Sequence, residues 1–183
     1  MSELLDEIIS ANRRFVQSGK RKESFHLDGK PKRKVAIFTC MDSRLTEFVL
    51  PALGLKRGDA KVIKTAGNSM RNNMVDTVMF SLVACVYELG VEKILVIGHY
   101  DCGMTKIKAE ELINKMNNER ISSSCIGMIQ DELKDWLSHF KTSEDNVKWV
   151  CHQIKTSPIL PERIQVHGLM MDPQTGGVTV LEC

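Results

Sequence analysis

The sequence predicts an α/β fold: a mainly parallel central sheet with flanking helices and an antiparallel C-terminal edge strand. Three observations carry that prediction. Short apolar runs without alternation, at 35–39 and 93–97, read as strands covered on both faces, as in a parallel sheet. Helical patterns separate the runs, which is the order of an α/β chain. The last two apolar runs are joined by Asp172-Pro173-Gln174-Thr175-Gly176-Gly177, a turn-rich stretch that makes them a hairpin.

The elements follow in order. Residues 3–17 read as an amphipathic helix, with Leu5, Ile8, Ile9, Ala11, Phe15 and Val16 on one side and Gly19 as the stop. The polar, basic stretch 19–33 reads as a loop. Val35-Ala36-Ile37-Phe38-Thr39 is the first strand and delivers Cys40 to its C-terminal end. A short helix is expected over 45–53, a second strand over 61–65, and a tight turn at Ala66-Gly67-Asn68. Residues 71–89 predict a buried helix, because Met74, Val75, Val78, Met79, Leu82, Val83, Val86 and Leu89 make a broad apolar stripe ending at Gly90. Lys93-Ile94-Leu95-Val96-Ile97 is the third strand and delivers Gly98 and His99. A polar helix is expected over 104–118, a Ser-rich loop over 121–127, and helices over 128–140 and 143–156, the last capped by Ser143. The closing strands are expected at 163–171 and 178–181. No repeat or linker interrupts the chain, so one domain over 1–183 is the simplest organisation.

Composition narrows the function classes. The chain has 183 residues, 43% hydrophobic and 26% charged, enough for one sizeable core. A net charge of +2 gives no basis for nucleic-acid binding. The basic clusters Lys20-Arg21-Lys22 and 30–34 carry no interleaved aromatics and read as solvated loop. No apolar run is long enough to span a bilayer, and the N-terminus lacks a basic start followed by an apolar core. A cytoplasmic location is therefore expected. There, six cysteines read as metal ligands, reactive groups or buried small hydrophobes rather than disulfides.

Two stretches carry the chemistry: Cys40-Met41-Asp42-Ser43-Arg44 and His99-Tyr100-Asp101-Cys102-Gly103. Each follows a predicted buried strand. Sites in open α/β sheets form outside the carboxyl ends of the strands, so neighbouring parallel strands would bring Cys40 and His99 together. His99 and Cys102 are three residues apart, a spacing at which one turn holds a metal from both. Two thiolates and one imidazole favour zinc, and three protein ligands leave a fourth position for chemistry. The plainer alternative is a closed, purely structural site. No further Cys or His is placed to complete one, although Asp42 is a possible fourth ligand in a closed form. Asp42 and Arg44, two residues apart, can face the same side, where the guanidinium holds the carboxylate ionised.

These motifs resemble the β-class carbonic anhydrases. Cys40-Met41-Asp42-Ser43-Arg44 matches the family's Cys-x-Asp-Ser/Ala-Arg, and Gly98-His99-Tyr100-Asp101-Cys102-Gly103 its Gly-His-x-x-Cys-Gly. Ala66-Gly67-Asn68 matches a family turn, and His167-Gly168 through Thr175-Gly176 resembles the closing hairpin. The 52–60 segment is similar to a compact prokaryotic subgroup that includes methanogen members. The resemblance implies Zn2+ held by Cys40, His99 and Cys102, a catalytic Asp42–Arg44 dyad, and a homodimer or larger homo-oligomer. It implies reversible hydration of carbon dioxide to bicarbonate and a proton by a zinc-bound hydroxide. Two departures stand out: Lys64-Thr65 replaces the common Arg-Asn before Ala66-Gly67-Asn68, and Gly29-Lys30-Pro31 lacks a Gln that many members place before that Pro. Competing readings are a carbonyl sulfide or carbon disulfide hydrolase on the same site, and a non-catalytic zinc protein. Cys85 reads as core packing, Cys125, Cys151 and Cys183 as incidental, and His26, His139 and His152 as surface residues; His167 reads as structural. Asp101 is expected to orient the metal loop.

Overall fold

The computed structural model describes residues 3–18, 28–71 and 76–183. Among them the chain runs α1 (Glu3–Gln17), β1 (Val35–Cys40), α2 (Val49–Ala52), β2 (Ala60–Thr65), α3 (Thr77–Tyr87), β3 (Lys93–His99), α4 (Ala109–Asn118), α5 (Ser123–Ser138), α6 (Ser143–Lys155), β4 (Gln165–Met171) and β5 (Val178–Leu181). The strands form one sheet in the order β2-β1-β3-β4-β5. β1 pairs parallel with β2 and β3, β3 pairs parallel with β4, and β5 closes the edge antiparallel to β4. This is the architecture expected from the sequence.

Every residue of β1 is buried, which explains its unbroken apolar run. Successive side chains point to opposite faces of a strand, and helices cover both. Phe38, Val96 and Met170 pack on one side with Leu82 of α3 and Val150 of α6. Ile37, Ile97 and Met171 pack on the other with Leu45, Val49 and Phe140. Among the described residues, no helix is long and apolar enough to cross a membrane.

The element boundaries depart from the sequence expectations for local reasons. The helix expected from 71 begins at Thr77, because the Asp76 carboxylate accepts from the backbone N–H groups of Val78 at 2.6 Å and Met79 at 3.3 Å. Met74 and Val75 of its stripe, like 19–27 with Gly19, Lys20-Arg21-Lys22 and His26, lie outside the described residues. The expected loop at 121–127 is largely helical: Ser122 caps α5 by accepting from Cys125 N–H at 3.3 Å. Serine clusters favour caps as readily as loops. Thr142, not Ser143, caps α6. The helices expected over 45–53 and 104–118 each start as a 3-10 turn, Ser43–Leu45 and Gly103–Lys106, directly after the site motifs.

Asp76 also accepts from Arg71 N–H at 2.9 Å and is 8% exposed. Asp76→Ala therefore lowers unfolding stability by about 2 kcal/mol, at the upper end of cap losses. Urea denaturation measures it, and an unchanged midpoint contradicts the cap assignment.

Candidate metal centre

Strand order reverses around β1: the chain leaves β1 for β2 on one side and returns to β3 on the other. Such a reversal opens a crevice at the carboxyl ends of the two strands. The β1–β3 register pairs Thr39 with Ile97, so the next residues beyond them lie at one sheet edge. Cys40 ends β1 and His99 ends β3, and the turn after His99 brings back Cys102. The three are 4%, 1% and 4% exposed. Their ligand atoms all lie within 4.8 Å of one another, and the two sulfurs are 4.0 Å apart. Two thiolates on one tetrahedral zinc, each at about 2.3 Å, stand about 3.8 Å apart. The fit is close.

The imidazole is oriented for a metal as well. His99 Nδ1 lies 2.9 Å from the Tyr100 carbonyl oxygen, which an N–H donates to. That fixes the tautomer and leaves Nε2 with a lone pair. Nε2 is buried without a hydrogen-bond partner among the described residues. An unpaired buried acceptor is costly, and a cation between it and the two sulfurs removes the cost.

The electrostatics point the same way. Hydrogen bonding from Cys102 holds the Cys40 thiol well below its ordinary range, against the opposing effect of burial. The backbone N–H groups of Asp42 at 3.4 Å and Gly67 at 3.3 Å add to it. The Cys102 thiol is pushed up by Cys40 and by burial. Two thiols sharing one proton in a buried site are poised to give both protons up to a divalent cation.

Asp42 and Arg44 form a three-bond clamp. Arg44 donates from Nε to Oδ1 at 3.0 Å, from Nη2 to Oδ2 at 2.8 Å, and from its backbone N–H to Oδ1 at 2.9 Å. These bonds, led by the side-chain one, hold the Asp42 carboxyl down to about 2. Oδ2 also faces His99 Nε2 at 3.7 Å. With both oxygens on Arg44, Asp42 stands beside the Cys-His-Cys cluster rather than within it. Asp101 takes part on the far side: its carbonyl accepts from Arg44 Nη2 at 3.0 Å, and its carboxylate pairs with Lys106 at 2.8 Å. A backbone φ of +51° at Asp101 turns the loop between His99 and Cys102.

The glycines around the site differ in what they do. Gly103 has open space where a side chain would be, and Gly98 lets α6 approach, since a Cβ on it would meet Val147 Cγ2 at 2.6 Å. The glycine that shapes the site is Gly67. Its φ is +65°, and a Cβ there would strike the Phe140 ring at 2.3 Å. Asn146 of α6, 1% exposed, donates from Nδ2 to the Gly67 carbonyl at 2.9 Å. Phe140 and Asn146 thus press the turn against Cys40, and neither was legible as a site residue, because neither belongs to a motif. The buried Lys64 Nζ, also without a hydrogen-bond partner among the described residues, is pushed down by burial while Cys40 and Asp42 pull it up. His139 is not a surface residue: its ring stacks on Trp149 at 4.1 Å. His152 and His167 are exposed.

A cavity of about 400 Å3 opens onto Cys40, Asp42 and Cys102, walled by Met41, Ala66 and Ile107 among others. All five residues singled out in the two motifs therefore meet at one place, with an apolar approach to it.

Comparison with known proteins agrees with this geometry. A family model described as carbonic anhydrase matches residues 35–178. A β-carbonic anhydrase from Trichomonas vaginalis superposes with a TM-score of 0.92 at 38% identity, covering 98% of this chain and 97% of that one. YvdA of Bacillus subtilis, named as a candidate carbonic anhydrase, is 37% identical over 97% of this chain and 90% of its own length. A carbon disulfide hydrolase of Acidithiobacillus thiooxidans is 24% identical over 79% of this chain and 75% of its own. Family match, likeness of fold and the two ligand motifs agree: the chain belongs to the β-class carbonic anhydrase family.

Proposed function

We propose that Cys40, His99 and Cys102 hold Zn2+ and that Asp42 and Arg44 serve the reversible hydration of carbon dioxide to bicarbonate and a proton. The observation that carries this reading is the orphaned Nε2 of His99, buried and aimed at two sulfurs within 4.8 Å. Zinc held there supplies Lewis acidity that makes water nucleophilic near neutral pH, a chemistry for which carbonic anhydrase is itself the standard example.

The chain's own residues do the rest. Asp42, with its carboxyl held down to about 2, keeps no proton near neutrality. Its role is to accept a hydrogen bond from the reacting water through Oδ2 and so aim the water's lone pair at the substrate carbon. Arg44 keeps that oxygen in place, and Asp101 and Lys106 hold Arg44 from behind. Met41, Ala66 and Ile107 offer a wall without charge, suited to a small, linear, neutral molecule. A dry wall also strengthens the local field. The proton released in hydration leaves to solvent, since Asp42 is too acidic to store it.

Carbon disulfide is the rival substrate for the same cavity. The relatives at 37–38% identity bear the carbonic anhydrase name, while the hydrolase stands at 24%, which favours carbon dioxide.

The assembly is proposed to be a homodimer or a multiple of one, in a cytoplasmic setting. α1 buries none of its residues within one chain, and Leu4, Ile8 and Val16 are 64%, 53% and 70% exposed. A helix with such a face gains most by covering it against a second copy.

Two measurements test these assignments. Cys40→Ser and His99→Ala are expected to lose zinc on dialysis, whereas Asp42→Ala keeps zinc and loses at least about a hundredfold in carbon dioxide turnover, the lower end for removing a group that positions the reacting water. Metal analysis beside stopped-flow hydration, with carbon disulfide as a second substrate, checks this; zinc retained in both ligand variants overturns the site. Light scattering is expected to give twice 20.6 kDa or a multiple of that, reduced by Ile8→Glu. A monomer of the unaltered chain contradicts the dimer.

A further inference from the structure

Away from the metal centre, two cysteines converge on one backbone carbon. Cys151 is fully buried on α6, and Cys183, just beyond β5, is exposed. Between them runs Gly168 of β4. A Cβ built on Gly168 would lie 2.4 Å from Cys183 Sγ and 3.2 Å from Cys151 Sγ. Both sulfurs thus occupy the space that the missing side chain leaves.

The register explains the meeting. Gly168 pairs with Leu181, and Leu181 packs against the cluster that contains Cys151. Two residues further on, strand alternation returns Cys183 to that same face. Lys155, one turn beyond Cys151 on α6, donates from Nζ to the Cys183 carbonyl at 2.5 Å and ties the segment to the helix. Burial, and next the Cys183 sulfur, push the Cys151 thiol up, so it is a neutral thiol near pH 7.

We propose that Cys151 and Cys183 form a redox modification site, closing to a reversible intramolecular disulfide when a disulfide oxidant of the glutathione type is present. The exposed Cys183 thiolate attacks one sulfur of glutathione disulfide. That S–S bond breaks, and one glutathione leaves as its thiolate. Cys151 then attacks the Cys183 sulfur of the mixed disulfide; the S–S bond to glutathione breaks, and the departing glutathione sulfur takes up the Cys151 proton. Two protein thiols lose two electrons and two protons, and one glutathione disulfide becomes two glutathione molecules. The exposed cysteine admits the oxidant and the buried one resolves it. The bond fastens the edge strand β5 to α6, the helix whose Asn146 holds the Gly67 turn. It therefore braces the frame of the metal centre without using its ligands.

The test takes the zinc-loaded full chain through a series of glutathione redox buffers, traps free thiols by alkylation and maps peptides by mass. The expected result is one peptide pair linked through Cys151 and Cys183, lighter by two hydrogens and restored by dithiothreitol. Cys125, exposed on α5, is expected to stop at a mixed disulfide. Linked protein should melt roughly 5–10 °C higher than reduced protein. Cys183→Ser should abolish both the link and the shift; because Cys183 is exposed, this variant decides the matter even if Cys151→Ser fails to fold. Glutathione left on Cys183 with Cys151 alkylated after unfolding, a Cys183 link between chains, or no reaction each overturns the proposal. None of these readouts depends on carbon dioxide turnover, so a failure here is separable from a failure of the catalytic reading.

Discussion

The structure depends on one constraint: two sulfurs and an imidazole nitrogen held together in a buried place. Such a cluster is unfavourable by itself. Cys40 and Cys102 compete for one proton, and His99 Nε2 has no donor to meet. A divalent cation reverses both penalties at once, because it needs two thiolates and a lone pair. The parallel pairing of β1 and β3 sets this up, since it fixes where both strands end.

The surrounding shell works through the same cluster. The backbone N–H groups of Gly67 and Asp42 point at Cys40 Sγ and spread its charge. Outer partners of this sort set ligand orientation and strength in metal sites. Phe140, in the connection between α5 and α6, and Asn146 of α6 hold the Gly67 turn, so the packing of this segment reaches the Cys-His-Cys cluster directly. On the open side, Arg44 holds both Asp42 carboxylate oxygens, so Asp42 stands beside Cys40, His99 and Cys102 rather than among them. One sheet edge thus carries a closed, sulfur-rich floor and an open, charged rim.

The sheet and the Cys-His-Cys cluster are legible in the sequence for physical reasons. Buried parallel strands show as unbroken apolar runs, and Cys40, His99 and Cys102 lie in tight local motifs that end them. The helix starts were harder to read. Asp76 and Ser122 act through backbone geometry, which apolar periodicity does not register, so α3 starts later and α5 earlier than the apolar pattern predicts. Asn146 and the Cys151–Cys183 pair were hidden for another reason. Each acts across a long sequence separation that only the fold closes. His139 looked like a surface residue because its neighbours in sequence are polar, yet it meets Trp149 from the next helix.

The central claim concerns which atoms surround the metal, and X-ray absorption at the zinc edge of the purified protein reads them directly. The account predicts two sulfur neighbours at about 2.3 Å and two nitrogen or oxygen neighbours near 2.0–2.2 Å, one of them from imidazole. A shell of four sulfurs, a six-coordinate oxygen shell, or a protein that takes up no zinc would contradict it.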